Sequence, residues 1–160
     1  MTEEEKKRDK EEFKRKKQFL YGYMDAKTAI RKCELQLQEL RAGQIMPSAG
    51  MSDMPKAHNQ KDLSDYAAKL EEIEQQFVSE RYNRIKQYLK VSNTIENLKN
   101  EDEKLILTLR YIKGLEWEEI LEEIPGVSWR TMHRRHSKGV RNIVIDDEDQ
   151  EIKAKEEKLA

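Results

Sequence analysis

The residues best placed to do chemistry fall between Pro125 and Ile145, a stretch with five Lys or Arg and no Asp or Glu. Residues 146–160 carry seven acids against three lysines, so the formal net charge of −1 conceals a basic segment beside an acidic tail. Ser128 has the side chain of a good helix N-cap. A helix from Trp129 to about Ile145 turns Met132, His136, Gly139 or Val140, and Ile143 to one side. It turns Arg130, His133, Arg134, Ser137, Lys138 and Arg141 to the other. A guanidinium is a rigid fork of N–H donors that pairs with two acceptors at once, such as O6 and N7 of guanine or two phosphate oxygens. The first amides of the helix, with Ser128, can meet a phosphate. This chemistry recognises a polyanion; it does not make or break bonds.

Catalytic and metal chemistry find little to work with. His133 and His136 stand three apart on one helix and would make half a metal site, but the remaining candidates, His58 and Cys33, lie far away in the chain. There is no glycine-rich phosphate loop and no nucleophile elbow, and the many carboxylates read as solvated helix faces. Neither an enzyme nor a metal or other cofactor is expected. A single cysteine forms no intrachain disulfide and fits a reducing, cytoplasmic compartment. The charged N-terminus has no apolar run behind it, and no stretch approaches the roughly 20 apolar residues of a membrane span. No membrane partner is expected.

The elements that must position the basic helix can be read from periodicity. Hydrophobic residues make up 36% and charged residues 39% of the chain, against about 45–50% and about 25% in ordinary globular proteins. With three prolines, six glycines and many good helix formers, the expectation is all-α, with long helices burying narrow stripes. Residues 100–113 read as a helix opened by Asn100 and Glu103 in a capping-box spacing, with Leu105, Leu109 and Ile112 inward. Residues 116–124 read as a short helix with Trp117, Ile120, Leu121 and Ile124 inward, and Pro125-Gly126 as the turn that follows. A short helix, a tight turn and a second helix with a basic outer face make a helix-turn-helix, expected to occupy residues 99–145.

Residues 1–98 read as a long antiparallel helical hairpin, coiled-coil-like. Its first seam is Phe19, Tyr23, Ala26, Ile30, Cys33, Leu37 and Leu40, with alternating spacings of four and three. Residues 2–18 are almost wholly charged; their mixed signs favour a solvated helix extension over a nucleic-acid arm. Residues 43–59 form the connecting loop. The second helix, about 60–98, carries Leu63, Tyr66, Leu70, Ile73, Phe77, Ile85, Tyr88, Val91, Ile95 and Leu98. One hairpin makes a thin core, so a homodimer is expected. Residues 146–160 are expected to be disordered.

Leu105 to Val140 resembles the C-terminal DNA-binding region (region 4) of sigma-70-type factors. The residues that carry the resemblance are Leu109-Arg110-Tyr111, Gly114-Leu115, Trp117-Glu118-Glu119-Ile120, Ser128, Thr131-Met132 and Arg135. With a helical hairpin and a loop rich in Pro, Gly and Met before this module, the whole is similar to the small phage and prophage regulators of the RinA and ArpU type. The chain departs from the family pattern in Leu121, where a small residue is usual. The turn Ile124 to Ser128 is one residue longer than the common form, and His136 stands at a usually apolar position.

The resemblance implies a sequence-specific regulator of transcription that binds double-stranded DNA with residues 128–145 in the major groove. Ser128, Trp129, Arg130, Thr131, His133, Arg134, Arg135, Lys138 and Arg141 are the candidate DNA-binding residues. Arg130, His133 and Arg134 sit in the first two turns, where base edges are reached, and Lys138 and Arg141 sit further along, where phosphates are. Arg135 has an alternative as the structural partner of Glu119 or Glu122. Trp129 either stacks on the DNA backbone or staples the turn to Leu105 or Ile106. Two other functions fit the same features. One is a small-terminase-like DNA-recognition subunit. The other is a module that binds host RNA polymerase or a sigma factor, for which the acids Glu116, Glu118, Glu119, Glu122 and Glu123 are the argument.

Overall fold

The N-terminal helix starts on a full capping box. Thr2 Oγ1 accepts from the Glu5 amide at 3.3 Å, and the Glu5 carboxylate accepts from the Thr2 amide at 2.7 Å. With Glu3, Glu4 and Glu5 at the positive end of its dipole, α1 runs Glu3–Leu20. Tyr21 interrupts the helix ahead of Gly22, and α2 continues over Gly22–Ile45. Then follow α3 (Gln60–Glu96), α4 (Glu101–Leu107), a π-helical turn (Thr108–Ile112), α5 (Trp117–Glu123) and α6 (Trp129–Asn142). This computed structural model describes residues 1–45, 60–146 and 158–159, and among them there is no strand. Most of the expected 43–59 loop and nearly all of the 146–160 tail lie outside the described residues. No described helix is long and apolar enough to cross a membrane.

The chain divides into two compact units, one of residues 1–23 with 88–160 and one of residues 24–87. The division does not fall at the expected 98/99 boundary, because α1 and the last turns of α3 belong to the C-terminal core. Leu20, Val91, Ile95 and Leu98 are buried in one cluster with Leu107, Tyr111, Val140 and Ile143. Residues 2–18 are a largely exposed helical extension, as expected, but an anchored one: Phe13 packs on this cluster, and Lys16 Nζ donates to the Arg141 carbonyl at 2.7 Å.

A second cluster unites Ile106, Leu109, Ile120, Ile124 and Met132, with Trp117, Leu121 and Val127 packed at its margin. The segment from α4 through the π turn serves both clusters, which a single inward stripe could not do. Its π turn, closed by the Lys113 amide on the Thr108 carbonyl at 3.1 Å, shifts the phase of the side chains. Leu105, expected inward, is therefore 46% exposed, while Ile106 and Leu107 are buried. Gly126, at φ 83°, makes the turn between α5 and α6 in a conformation that favours glycine. Gly139 lets α6 approach α4 closely: a Cβ there would stand 3.2 Å from Glu103 Cβ and 3.3 Å from Leu107 Cδ1.

The buried side of α6 is the expected one, with Met132, His136, Gly139, Val140 and Ile143 enclosed. The helix itself stops at Asn142, short of the expected 145, and Ile143 is already extended (φ −66°, ψ 147°). Three β-branched residues in succession, Ile143-Val144-Ile145, give little support to another helical turn.

In the second unit Ala26, Ile30 and Cys33 are buried and Leu37 and Leu40 half-buried, as the first seam requires. A shallow cleft is lined by Gln36, Leu40 and Gly43 of α2 together with Lys69, Ile73 and Gln76 of α3. On α3, Tyr66, Leu70, Ile73 and Phe77 are half-buried, but Leu63 and Ile85 of the expected stripe are more than half exposed, at 52% and 56%.

Candidate nucleic-acid interface

Ser128 caps α6 as its type suggests: its Oγ accepts from the Thr131 amide at 3.2 Å and donates to Thr131 Oγ1 at 2.9 Å. Both hydroxyl side chains are thus engaged in holding the helix start. The amides of Trp129 and Arg130, in the first turn, have no carbonyl one turn behind them and point along the axis, where an anion is favoured.

Arg130, Arg134 and Lys138 follow at intervals of four and form an exposed row; none has an ion-pair partner among the described residues. His133 lies beside them, its ring packed between Trp117 at 4.5 Å and Trp129 at 4.7 Å. Trp129 is 46% exposed, and its ring lies against that of His133.

Two of the expected site residues are engaged elsewhere. Arg135 pairs with Asp102 of α4 at 3.7 Å rather than with Glu119 or Glu122. An ion pair of the kind the structural alternative implies is present, with a different acid, where close packing at Gly139 sets α6 against α4. Arg141 pairs with Asp9 of α1 at 3.6 Å and lies over the Phe13 ring at 5.1 Å.

The support beneath the row contains polar groups that periodicity did not single out. Arg110 donates to the Leu115 carbonyl at 2.9 Å and to the Tyr21 hydroxyl at 3.5 Å. It lies over the Trp117 ring at 4.4 Å and pairs with Glu116 at 3.6 Å, while its buried Nε has no hydrogen-bond partner. Only its place in the sigma-like motif marked it. Glu103, expected as the reciprocal arm of a capping box, is 2% exposed and accepts from Asn142 Nδ2 at 3.1 Å. Asn100 alone caps α4, accepting from the amides of Asp102 and Glu103. The capping box of this region is at Glu116 and Glu119, opening α5.

His136 and Tyr111 share a buried 2.7 Å hydrogen bond. Burial above all, then the charges of Lys17, His133 and Arg110, pushes the His136 imidazole down to about 4. Burial, helped by Tyr21, raises the Tyr111 phenol well above its ordinary value. The bond therefore joins two uncharged groups at neutral pH, and the cationic surface above it owes nothing to His136. Among the described residues no three His, Cys, Asp or Glu side chains gather as metal ligands would.

The arrangement is a helix whose outer face carries guanidinium and ammonium groups without ion-pair partners among the described residues at Arg130, Arg134 and Lys138, with two tryptophans at its base and no acid on its own length. A family model described as a protein of unknown function, DUF1492, matches residues 48–143. No curated protein and no solved structure matches the chain.

Proposed function

The chain belongs to the DUF1492 family, whose description assigns no activity, and we propose from its own residues that it is a sequence-specific, double-stranded-DNA-binding regulator of transcription. The observation that carries this is the row Arg130, Arg134 and Lys138, exposed and unpaired among the described residues on the face of α6 opposite its buried side. Cations left without acidic partners keep their hydrogen-bonding capacity for a ligand, and a helix of this diameter fits the major groove.

In this reading α5, the turn at Gly126 and α6 form a helix-turn-helix of the sigma-70 region 4 kind. Arg130 and Arg134 read base edges, Lys138 meets a phosphate, and the first amides of α6 meet another. His133, flanked by Trp117 and Trp129, is a further contact near the helix start. Arg135 and Arg141 act through position: the first ties α6 to α4, the second ties it to α1. The resemblance to the RinA and ArpU type supports a phage or prophage origin and a cytoplasmic site of action.

The unit of residues 24–87 serves, in the same proposal, as a helical hairpin that self-associates. Val78, Tyr82 and Ile85 of α3, at helical spacings of four and three, are 68%, 72% and 56% exposed. An apolar row at this spacing is what a second copy of the same helix would cover.

The decisive experiment is a gel-shift titration against the DNA flanking the gene, at two salt concentrations and with unrelated duplex as competitor. Binding that resists competitor and weakens steeply with salt is expected. Absence of binding at low salt would refute the proposal.

A further inference from the structure

We infer that α1 is a second DNA-contacting element, whose lysine row continues the phosphate track of α6 onto the N-terminal helix. The inference rests on the DNA-binding reading of α6 and adds a surface to it.

The two flanks of α1 differ in composition. Lys7, Lys10, Lys14 and Lys17 are spaced three, four and three, which stacks them along one side of a helix. Glu3 stands at the start of the same side, but it is paired with Lys6 at 3.3 Å. The other flank mixes signs, with Glu4, Arg8, Glu11, Glu12 and Arg15. Lys7, Lys10 and Lys14 are exposed, and none of the four lysines has an ion-pair partner among the described residues. From Lys7 to Lys17 the row extends about 15 Å at about 1.5 Å per residue.

The docking of α1 settles which way this flank looks. Asp9, Phe13 and Lys16 face Arg141. The lysine row lies roughly a third of a turn round the axis from that contact face. Four residues beyond Lys17 the row continues into Tyr21, whose ring packs edge-on against Tyr111 at 5.1 Å and whose hydroxyl meets Arg110. Arg110 lies over Trp117, and Trp117 packs on His133 of α6. A continuous set of contacts thus joins the end of the lysine row to the flank of α6 that carries His133 and Trp129. The opposite flank of α6, with Arg135 and Asn142, is turned to the acids Asp102 and Glu103. That flank is occupied by contacts within the domain, Arg135 with Asp102 and Asn142 with the buried Glu103, so further cationic surface for a duplex seated on Arg130 and Arg134 is sought on the α1 side. The lysines are point charges without a planar fork, suited to phosphates rather than to base edges.

The test uses the full chain and a random-sequence duplex of about 30 base pairs, since phosphate contacts need no operator. Lys10→Gln/Lys14→Gln is compared with Arg8→Gln/Arg15→Gln, which removes the same charge from the other flank. Each lost phosphate contact lowers the slope of log K against log salt by about 0.9. The lysine pair is expected to flatten that slope by about 1.8, roughly a tenfold difference in affinity loss over a fourfold rise in salt. The arginine pair is expected to leave it unchanged, and both variants are expected to keep the wild-type Tm. Equal effects of the two pairs, or none from the lysines while Arg130→Ala/Arg134→Ala still weakens binding, would overturn the inference and spare the DNA reading. A wild-type chain that binds no duplex at low salt would refute both.

Discussion

Acid should weaken the C-terminal core through one side chain. His136 is enclosed, hydrogen-bonded to Tyr111, and pushed down to about 4 from its ordinary 6.5, chiefly by burial. In the unfolded chain the imidazole takes up a proton below about 6.5; in the fold it does so only below about 4. Above 6.5 both states are neutral at this position and it contributes no pH dependence. As the pH falls from 6.5 to about 4 the unfolded state alone binds the proton, so stability drops through that window and levels off beneath it. At about 1.4 kcal/mol per pH unit the full penalty is about 3 kcal/mol, of which about 2.5 kcal/mol is incurred by pH 4.5. That is a sizeable part of the stability of a small domain. The assay is urea denaturation at pH 7 and pH 4.5, followed by tryptophan fluorescence, on the wild type and His136→Gln. Glutamine keeps a hydrogen-bonding partner for the Tyr111 hydroxyl and does not titrate. The wild type should lose about 2–3 kcal/mol more than the variant between the two pH values, with carboxylate titration common to both and cancelling. Equal losses would show that His136 is protonated as readily in the fold as outside it, and the reasoning would fail.

Arg130→Ala and Arg134→Ala should each weaken specific DNA binding by about 1–3 kcal/mol if the side chain pairs bidentately with a base, with no change in thermal stability, as a melt beside the gel shift would show. Ile120→Ala removes a fully enclosed side chain and should cost about 2–5 kcal/mol in denaturant titration; a loss below 1 kcal/mol would contradict the packing of α5. Tyr82→Glu, on the exposed row of α3, should convert a dimer to monomer in sedimentation equilibrium at unchanged helix content, whereas a wild type that is already monomeric refutes the proposed pairing.

The face of α6 was legible because Met132, His136, Val140 and Ile143 repeat at helical spacing and leave the cations on the other side. Its cap at Ser128 was legible for the same local reason. The docking of α1 was not. Its alternating charges look like a solvated helix, and the group it meets, Arg141, lies more than a hundred residues further along the chain. The partner of Arg135 was similarly hidden: acids on α5 and α4 are equally good by type, and only the close approach at Gly139 favours Asp102. Leu105 went wrong because a uniform helical period was carried through a π turn that no residue type announces.

Cys33 is the only thiol in the chain and is 1% exposed, within the unit of residues 24–87. Both tryptophans, Trp117 and Trp129, belong to the other unit. The two units therefore carry separate natural reporters. An alkylating reagent reaches Cys33 only when its own surroundings open, so the labelling rate measures the opening free energy of that unit, while fluorescence follows the other. Whether the halves come apart together or in succession can be timed on the unmodified protein, without a single engineered probe.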